Sequence, residues 1–428
     1  MNILVIGGGG REHAICWKLG KSPTAGKIYC APGNGGTARV AENIPIQATD
    51  VPALLDFALT HGIALTVVGP EAPLAAGLAD VFREHGLRVF GPSRTAAQLE
   101  TSKAFAKDFM RRRRIPTAEY RTFNAEQVDL LRDFLRDARY PLVLKADGLA
   151  AGKGVLIVNE YGEAFAEAES MLNGDAFGEA GRTVVAEEYL TGIEASVFAL
   201  TDGKRFATLS PAQDHKRILD NDEGRNTGGM GAYAPTPFVG TEVLAEIKIR
   251  IIKPVIDGML AEGNPYNGVL YVGVMLTGDG PKVLEFNCRF GDPETQVVLP
   301  LVDEDLAALL HDIAGGELRS TRIKLHDANA VCVIMASSGY PDSYETGKVI
   351  SGLESIDEEN EGVLVFHSGT RHSGNSVLTA GGRVLGVTAL GEGLDLRPTI
   401  SRAYSAIQRI RFDGAYYRTD IGRKALEY

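Results

Sequence analysis

The chain opens Met1-Asn2-Ile3-Leu4-Val5-Ile6-Gly7-Gly8-Gly9-Gly10-Arg11-Glu12-His13-Ala14. Residues 3–6 form an unbroken apolar run, the pattern of a strand buried on both faces. Four glycines turn the chain, and residues 11–19 continue as a helix. Strand, glycine turn and helix together begin a βαβ unit. The rhythm persists outward: strand at 27–30, helix at 51–61, strand at 65–68, helix at 74–85, strand at 88–90. It predicts a parallel, doubly wound sheet.

Further along, Thr101 or Ser102 can cap a helix that Pro116 limits. Strands are expected at 142–145 and 155–158, on either side of a glycine-rich segment at 148–154. A helix at 161–172 and strands at 184–189 and 195–200 follow. Apolar runs at 269–276 and 282–288 flank Thr277-Gly278-Asp279-Gly280, which reads as a β-hairpin. From about residue 325 short β runs dominate, at 330–335, 362–367, 377–380 and 383–390, as in a separate β-rich region. No long Pro/Ser linker divides these pieces, so packed domains are expected, and no internal repeat is seen.

Composition narrows the function. The 428 residues include 50 glycines, against an ordinary share near 7%, without a collagen period or low-complexity tract. Those glycines must serve turns and close backbone approach. The net charge of −11 argues against general nucleic-acid binding and leaves small anions open through local fields. The basic run Arg111–Arg114 reads as the solvated end of a helix. Cys16, Cys30, Cys288 and Cys332 lack CxxC spacing, so neither zinc nor a disulfide framework is signalled. No stretch approaches ~18 apolar residues, and the N-terminus reads as a strand rather than a leader, so a cytoplasmic protein with no membrane partner is expected.

The glycine turn is not a dinucleotide fingerprint. Its third glycine would fall on Glu12 or His13, and Cys30-Ala31-Pro32-Gly33-Asn34 stands where an acidic ribose partner belongs. A sugar-phosphate or mononucleotide-like site at a helix N-terminus, or a purely structural turn, remains. The loops at 32–37 and at Gly69-Pro70-Glu71 share that sheet edge, where ligands bind in open α/β sheets. Lys145-Ala146-Asp147-Gly148-Leu149-Ala150-Ala151-Gly152-Lys153-Gly154 is not a Walker A loop, because its glycine spacing is short and no Ser/Thr follows Lys153. It is either a phosphate-covering hairpin loop or a structural one. Along residues 282–290, Glu285, Asn287 and Arg289 share one strand face, with Leu284, Phe286 and Cys288 directed into a core. A carboxylate and an amide oxygen suit Mg²⁺, although a solvated face reads the same way. Asp214-His215-Lys216-Arg217 beside Asn226-Thr227-Gly228-Gly229-Met230-Gly231 gathers donors, an acid and glycines in one loop-like stretch.

Together GGGGREHA (7–14), APGN (31–34), VGPEAPLAAG (68–77), KADGLAAGKGV (145–155), EEYLTGIEAS (187–196), QDHKR (213–217), NTGGMGAY (226–233) and LEFNCRFGDPETQ (284–296) resemble the phosphoribosylamine–glycine ligase family of the ATP-grasp superfamily. They run through residues 1–300 in the family's order, and SSGYP (337–341) is a weaker mark beyond them. The resemblance implies an α/β and α+β multidomain chain: an N-terminal parallel α/β substrate domain (1–101), a central ATP-grasp domain (102–322) with a mobile lid (118–190), and a C-terminal β-rich domain (323–428). By the same resemblance Lys103, Lys145, Gly148, Gly152, Lys153 and Gly154 bind ATP phosphates. Glu187, Glu188, Tyr189, Leu190 and Leu284 surround the adenine, mainly through backbone groups at Glu187 and Leu190, and Glu194 holds the ribose. Glu285 and Asn287 match ligands of Mg²⁺ or Mn²⁺. Gly9, Gly10, Arg11, Asn34, Gly69, Pro70 and Glu71 face phosphoribosylamine. Arg289 and Lys145 meet the transferring phosphate, and Asp214, Lys216 and Asp292 stand where glycine's amine is oriented. The implied reaction makes glycinamide ribonucleotide, the second step of de novo purine (IMP) biosynthesis, from small-molecule substrates, in a monomer or a weak dimer. Another ATP-grasp ligase of purine metabolism is the nearest alternative, and a non-catalytic nucleotide-binding protein of the same fold is the alternative from another class.

Overall fold

The computed structural model describes residues 1–148, 154–174, 181–356 and 362–427. Strand β1 (Asn2–Gly7) lies at the centre of a parallel sheet with β2 (Ile28–Pro32), β3 (Glu42–Asn43), β4 (Ile63–Val68) and β5 (Val89–Phe90), in the order β3-β2-β1-β4-β5. The apolar run of β1 is divided between two cores. Leu4 and Ile6 pack with Leu54, Leu74 and Phe82 on one face. Ile3 and Val5 pack with Ile15, Leu19 and Leu306 on the other. Each such aliphatic side chain contributes about 1.5–3 kcal/mol on full burial. The single helix expected at 74–85 is two, Glu71–Ala75 and Leu78–Glu84, because Gly77 adopts φ +87° between them.

Ser102 caps the helix Lys103–Arg113 by accepting from the N–H of Phe105, and Arg114 ends it with φ 56°. The arginine run pairs with Asp108 and Glu262, as a solvated helix end would. An antiparallel sheet follows, from β6 (Tyr120–Asn124), β7 (Leu142–Ala146), β8 (Val155–Val158) and β9 (Thr183–Glu188), in the order β6-β9-β7-β8. Helices Val128–Asp137 and Tyr161–Leu172 back it, and Leu131, Leu144, Ala168 and Val184 give it a core of its own.

The chain then forms β10 (Ile193–Asp202), β11 (Phe206–Thr208), the short β12 (Gln213–Asp214), β13 (Arg217–Leu219), β14 (Glu223–Asn226) and β15 (Gly231–Ala234), and the long hairpin β16 (Asn267–Thr277) and β17 (Gly280–Asn287). Four of these make an antiparallel sheet ordered β11-β10-β16-β17. Helices Thr241–Ile247 and Lys253–Ala261 join through one wide π turn over Lys248–Ile252.

The remaining strands are β18 (Ala328–Ser337), β19 (Val349–Ile350), β20 (Val363–His367), β21 (Thr370–Ser373), β22 (Ser376–Thr379), β23 (Arg383–Glu392) and β24 (Ala415–Tyr416). The main sheet here runs β12-β15-β18-β23-β20, so it is not the separate β region expected from residue 325 onward. β15 pairs with β18 from Gly231↔Val333 to Ala234↔Ala330, which binds residues 213–234 into the C-terminal sheet.

Candidate active site

Two antiparallel sheets and the helix Lys103–Arg113 bring the lysines together. Lys145 on β7 reaches across to β17, where its Nζ donates to the carbonyl of Leu284 at 3.0 Å. The same ammonium pairs with Glu187 of β9 at 3.0 Å, and Lys107 pairs with that carboxylate at 2.8 Å. Burial lowers the Lys107 ammonium to about 8, against the pull of Glu187. Lys103 donates to the Gly148 carbonyl at 3.1 Å, and burial lowers its ammonium too. Ser102 and the N–H of Ala104 both hold Asp147, at 3.0 and 2.6 Å, so the helix start is fixed to the root of the glycine loop. Gly154 closes the other root, its carbonyl accepting from Ala146 at 2.8 Å. Gly152 and Lys153 lie outside the described residues.

Strand β17 breaks its own alternation. Gly273 faces Glu285 and Val274 faces Val283, so Leu284 is the extra residue of a bulge. Phe286 and Cys288 enter the main core with Val283, as the period predicts. Leu284 does not: the bulge turns it out to pack with Ala118, Leu190 and Met275, which corrects its expected place in the core. Glu188 accepts from the N–H of Glu119 at 3.4 Å, and Tyr189 beside it is exposed.

Beyond the bulge Glu285 and Asn287 share a face. Burial opposes ionisation of Glu285, but Lys216, Lys145, Lys103 and Arg289 hold its carboxyl below the usual range. Asn287 has no side-chain hydrogen bond among the described residues. An ionised carboxylate and a free amide oxygen are a hard donor pair that fits Mg²⁺, with phosphate oxygens completing the shell. No group of three His, Cys, Asp or Glu among the described residues forms a fuller metal site. Lys216 pairs with Glu194 at 2.8 Å. Burial costs Lys216 charge, yet Glu194, Asp214 and Glu285 raise its ammonium well above the usual value. Burial, with Glu294, Glu194 and Glu285 nearby, pushes Asp214 up to about 7 against the pull of Lys216.

At the parallel sheet's edge, Glu12 fills the glycine turn. Its carboxylate accepts from the N–H of Gly9 at 2.5 Å and from Arg11 at 2.6 Å. A Cβ on Gly7 or Gly69 would meet that side chain at 2.6 or 2.0 Å, which is why both positions are glycine. Pro70 precedes the helix carrying Glu71, whose carboxylate pairs with Arg289 at 3.2 Å. Burial opposes Glu71's charge, but Arg289 and Arg11 keep its carboxyl low. The second partner of Arg289 is Glu100 at 3.0 Å. Asp292 is held by Arg383 at 3.1 Å and by Gln296 at 2.7 Å. Gly10 is pressed against Gln296 and Ser368, from two other parts of the chain. Asn34 spends its amide inside the protein: it donates to Gly8, Gly9 and His367 carbonyls and accepts from Gly36 and Thr37. Its side chain thereby clamps these loops together beside the glycine turn.

The structure thus gathers Lys103, Lys145, Glu187, Leu190 and Leu284 at one end. Glu194, Asp214, Lys216 and Glu285 form the middle, and Glu71, Arg289 and Asp292 the other end. Lys107, Glu100, Glu12 and Arg383 complete these networks and were not singled out by sequence. Lys107 had a signal, lying among Ala104, Phe105, Ala106, Phe109 and Met110, whereas Glu100, flanked by Gln98, Thr101 and Ser102, had none.

An antiparallel sheet that carries Lys145, set across from a second antiparallel sheet whose strand β17 carries Glu285 and Asn287, is the arrangement of an ATP-grasp enzyme, and the ATP-grasp domain model matches this part of the chain. The chain belongs to the phosphoribosylglycinamide synthetase family, whose N domain matches residues 1–100, ATP-grasp (A) domain residues 101–295 and C domain residues 330–424. Phosphoribosylamine–glycine ligase of Chlorobaculum tepidum is 49% identical over the full length of both chains. That of Haemophilus influenzae is 48% identical, covering 100% of this chain and 99% of its own. The solved phosphoribosylamine–glycine ligase of Thermotoga maritima superposes with TM-score 0.85 at 32% identity, covering 99% of this chain and all of that one. A Campylobacter jejuni biotin carboxylase in complex with β-γ-ATP shares the fold, at TM-score 0.73 and 15% identity over 97% of this chain and 92% of its own.

Proposed function

We propose that the chain joins glycine to 5-phospho-D-ribosylamine with ATP, giving glycinamide ribonucleotide, ADP and phosphate. The family and its full-length ligase relatives support this. The observation that carries it is Arg289. Four residues beyond Glu285 on the same segment, it is bound to Glu71 at the parallel sheet's edge. It joins the nucleotide cleft to the edge where an open α/β sheet takes its ligand.

Carboxylate and amine do not condense at neutral pH, because the leaving group is too poor. In the first step a glycine carboxylate oxygen attacks the γ-phosphorus and ADP leaves. In the second the phosphoribosylamine nitrogen attacks the acyl carbon, phosphate leaves, and the nitrogen loses its proton. Phosphoryl transfer needs positioning and charge neutralisation rather than a protein nucleophile. Lys103 and Lys145 hold the phosphates, with Gly148, Gly152, Lys153 and Gly154 closing over them. Leu190, Leu284, Tyr189 and the β9 end at Glu187 and Glu188 frame the base, and Glu194 takes the ribose. Glu285 and Asn287 would hold Mg²⁺ or Mn²⁺, which neutralises phosphate charge when bound. Arg289 faces the forming acyl phosphate. Asp214, Lys216 and Asp292 orient glycine, and Gly9, Gly10, Arg11, Asn34, Gly69, Pro70 and Glu71 receive the sugar phosphate. Loop closure keeps water from the acyl phosphate. Residues 1–101, 102–322 and 323–428 are the three working units, with 118–190 as lid, in a cytoplasmic monomer or weak dimer. No helix among the described residues is long and apolar enough to cross a membrane.

The test combines ATP, Mg²⁺, glycine and freshly made phosphoribosylamine. Glycine-dependent ADP release, with glycinamide ribonucleotide detected by mass, is expected. ADP release indifferent to glycine would overturn the assignment.

A further inference from the structure

The sheet β11-β10-β16-β17 ends on β11, and a cavity of about 430 Å³ lies against that edge. It is remote from the nucleotide cleft. Glu194 and Asp202 stand at opposite ends of β10, so the two regions are about 26 Å apart at ~3.3 Å per residue.

The lining is cationic in a chain of net charge −11. Lys204 and Arg205 come from the turn after β10, Lys248 from the π turn, Lys253 from the next helix start, and Arg322 from the segment before β18. Arg205 is paired with Asp202, and Lys253 with Asp257. Lys204, Lys248 and Arg322 have no carboxylate partner among the described residues. Lys248 is partly desolvated and Arg322 repels it, which together lower its ammonium. Three cations without a carboxylate partner thus face one cavity, and an anion there would offset the repulsion between them. The wide turn at Lys248–Ile252 belongs to a helix distortion often found at functional sites. Half-buried Phe206 offers an aromatic wall beside the charges.

We propose that this cavity binds a small phosphate-bearing polyanion, with Lys204, Lys248 and Arg322 holding phosphate oxygens and Phe206 able to stack on a base. The volume lies within the range of small-molecule sites. A nucleoside phosphate and an inorganic polyphosphate share that chemistry.

Calorimetric titration of the full chain, its active site saturated with a non-hydrolysable ATP analogue and Mg²⁺, tests it. AMP and tripolyphosphate are the two probes. One further saturable event per chain, with either probe, is expected. The double variant Lys248→Glu/Arg322→Glu should bind that probe about a hundredfold more weakly, two charge-assisted contacts being lost. Its thermal midpoint, kcat and KM for ATP should stay unchanged. Phe206→Ala distinguishes the sources: weaker AMP binding identifies a nucleoside phosphate, and unchanged tripolyphosphate binding with none of AMP identifies a polyphosphate. The absence of a second event with both probes overturns the proposal. So does a second event that the charge reversal leaves intact.

Discussion

Burial would protonate a lone carboxyl, yet Glu285 lies among Lys216, Lys145, Lys103 and Arg289 and its carboxyl stays below the usual range. Removing it leaves those cations facing one another with only the neutral amide oxygen of Asn287 as a hard donor on the strand. Glu285→Ala is expected to lower kcat by about 10²–10³-fold or more, as loss of a charge-stabilising group does. Circular dichroism should remain native. Undiminished turnover at saturating Mg²⁺ would remove Glu285 from the metal assignment. Lys145 has a different profile. It bridges Glu187 and the Leu284 carbonyl, and Lys107 remains on Glu187 when it is gone. Lys145→Ala should therefore fold and show a strongly raised KM for ATP. An ATP dependence like the parent's would move the phosphate site elsewhere.

Single elements carry the geometry between such residues. Ser102 caps a helix and holds Asp147 at the root of the glycine loop. Ser102→Ala should cost about 1 kcal/mol in urea unfolding, the usual value of a lost cap, and should raise KM for ATP as well. A stability loss with unaltered ATP kinetics would make the cap merely structural. Asn34 ties the glycine turn to the His367 carbonyl. Asn34→Ala should raise KM for phosphoribosylamine and leave that for ATP alone, and the reverse split would refute the clamp. Most of these elements were legible in the sequence. The helix at 161–172 was found to the residue, and the βαβ rhythm gave the parallel sheet, because local period and punctuation set both. Two features were not legible. The bulge at Leu284 is decided by β16, an opposing strand, and the period of β17 alone misplaces the side chain. Likewise, the partners of Arg289 come from residues 71 and 100, and no spacing rule foretells such a pairing.

For the whole molecule, acid is the revealing condition. His13, His215 and His367 are each lowered to about 3, by burial first and then by His367, Arg418 and Arg39 respectively. Their neutral forms are native, so unfolding takes up protons below pH 6.5, and stability falls as pH drops from there toward 3. Asp214, raised to about 7, acts in the opposite sense, since its native form keeps a proton the unfolded chain releases. Among these four groups, three histidines against one carboxyl leave about two protons taken up near pH 5, a slope of roughly 2.7 kcal/mol per pH unit, which Glu100, raised by burial, offsets in part and His311, lowered by burial, adds to. Urea midpoints at pH 6 and pH 5 measure it, and His215→Gln should flatten it by about one proton's share, ~1.4 kcal/mol per pH unit. Midpoints that do not move with pH would contradict these burial effects. The shared sheet has a consequence of another kind. Because β15 pairs along β18, a break at residue 322 would strip a largely apolar strand of a neighbour and expose it to other chains. The C-terminal quarter is thus no exchangeable cassette, and recombination that swapped it between relatives would have to carry residues 213–234 along.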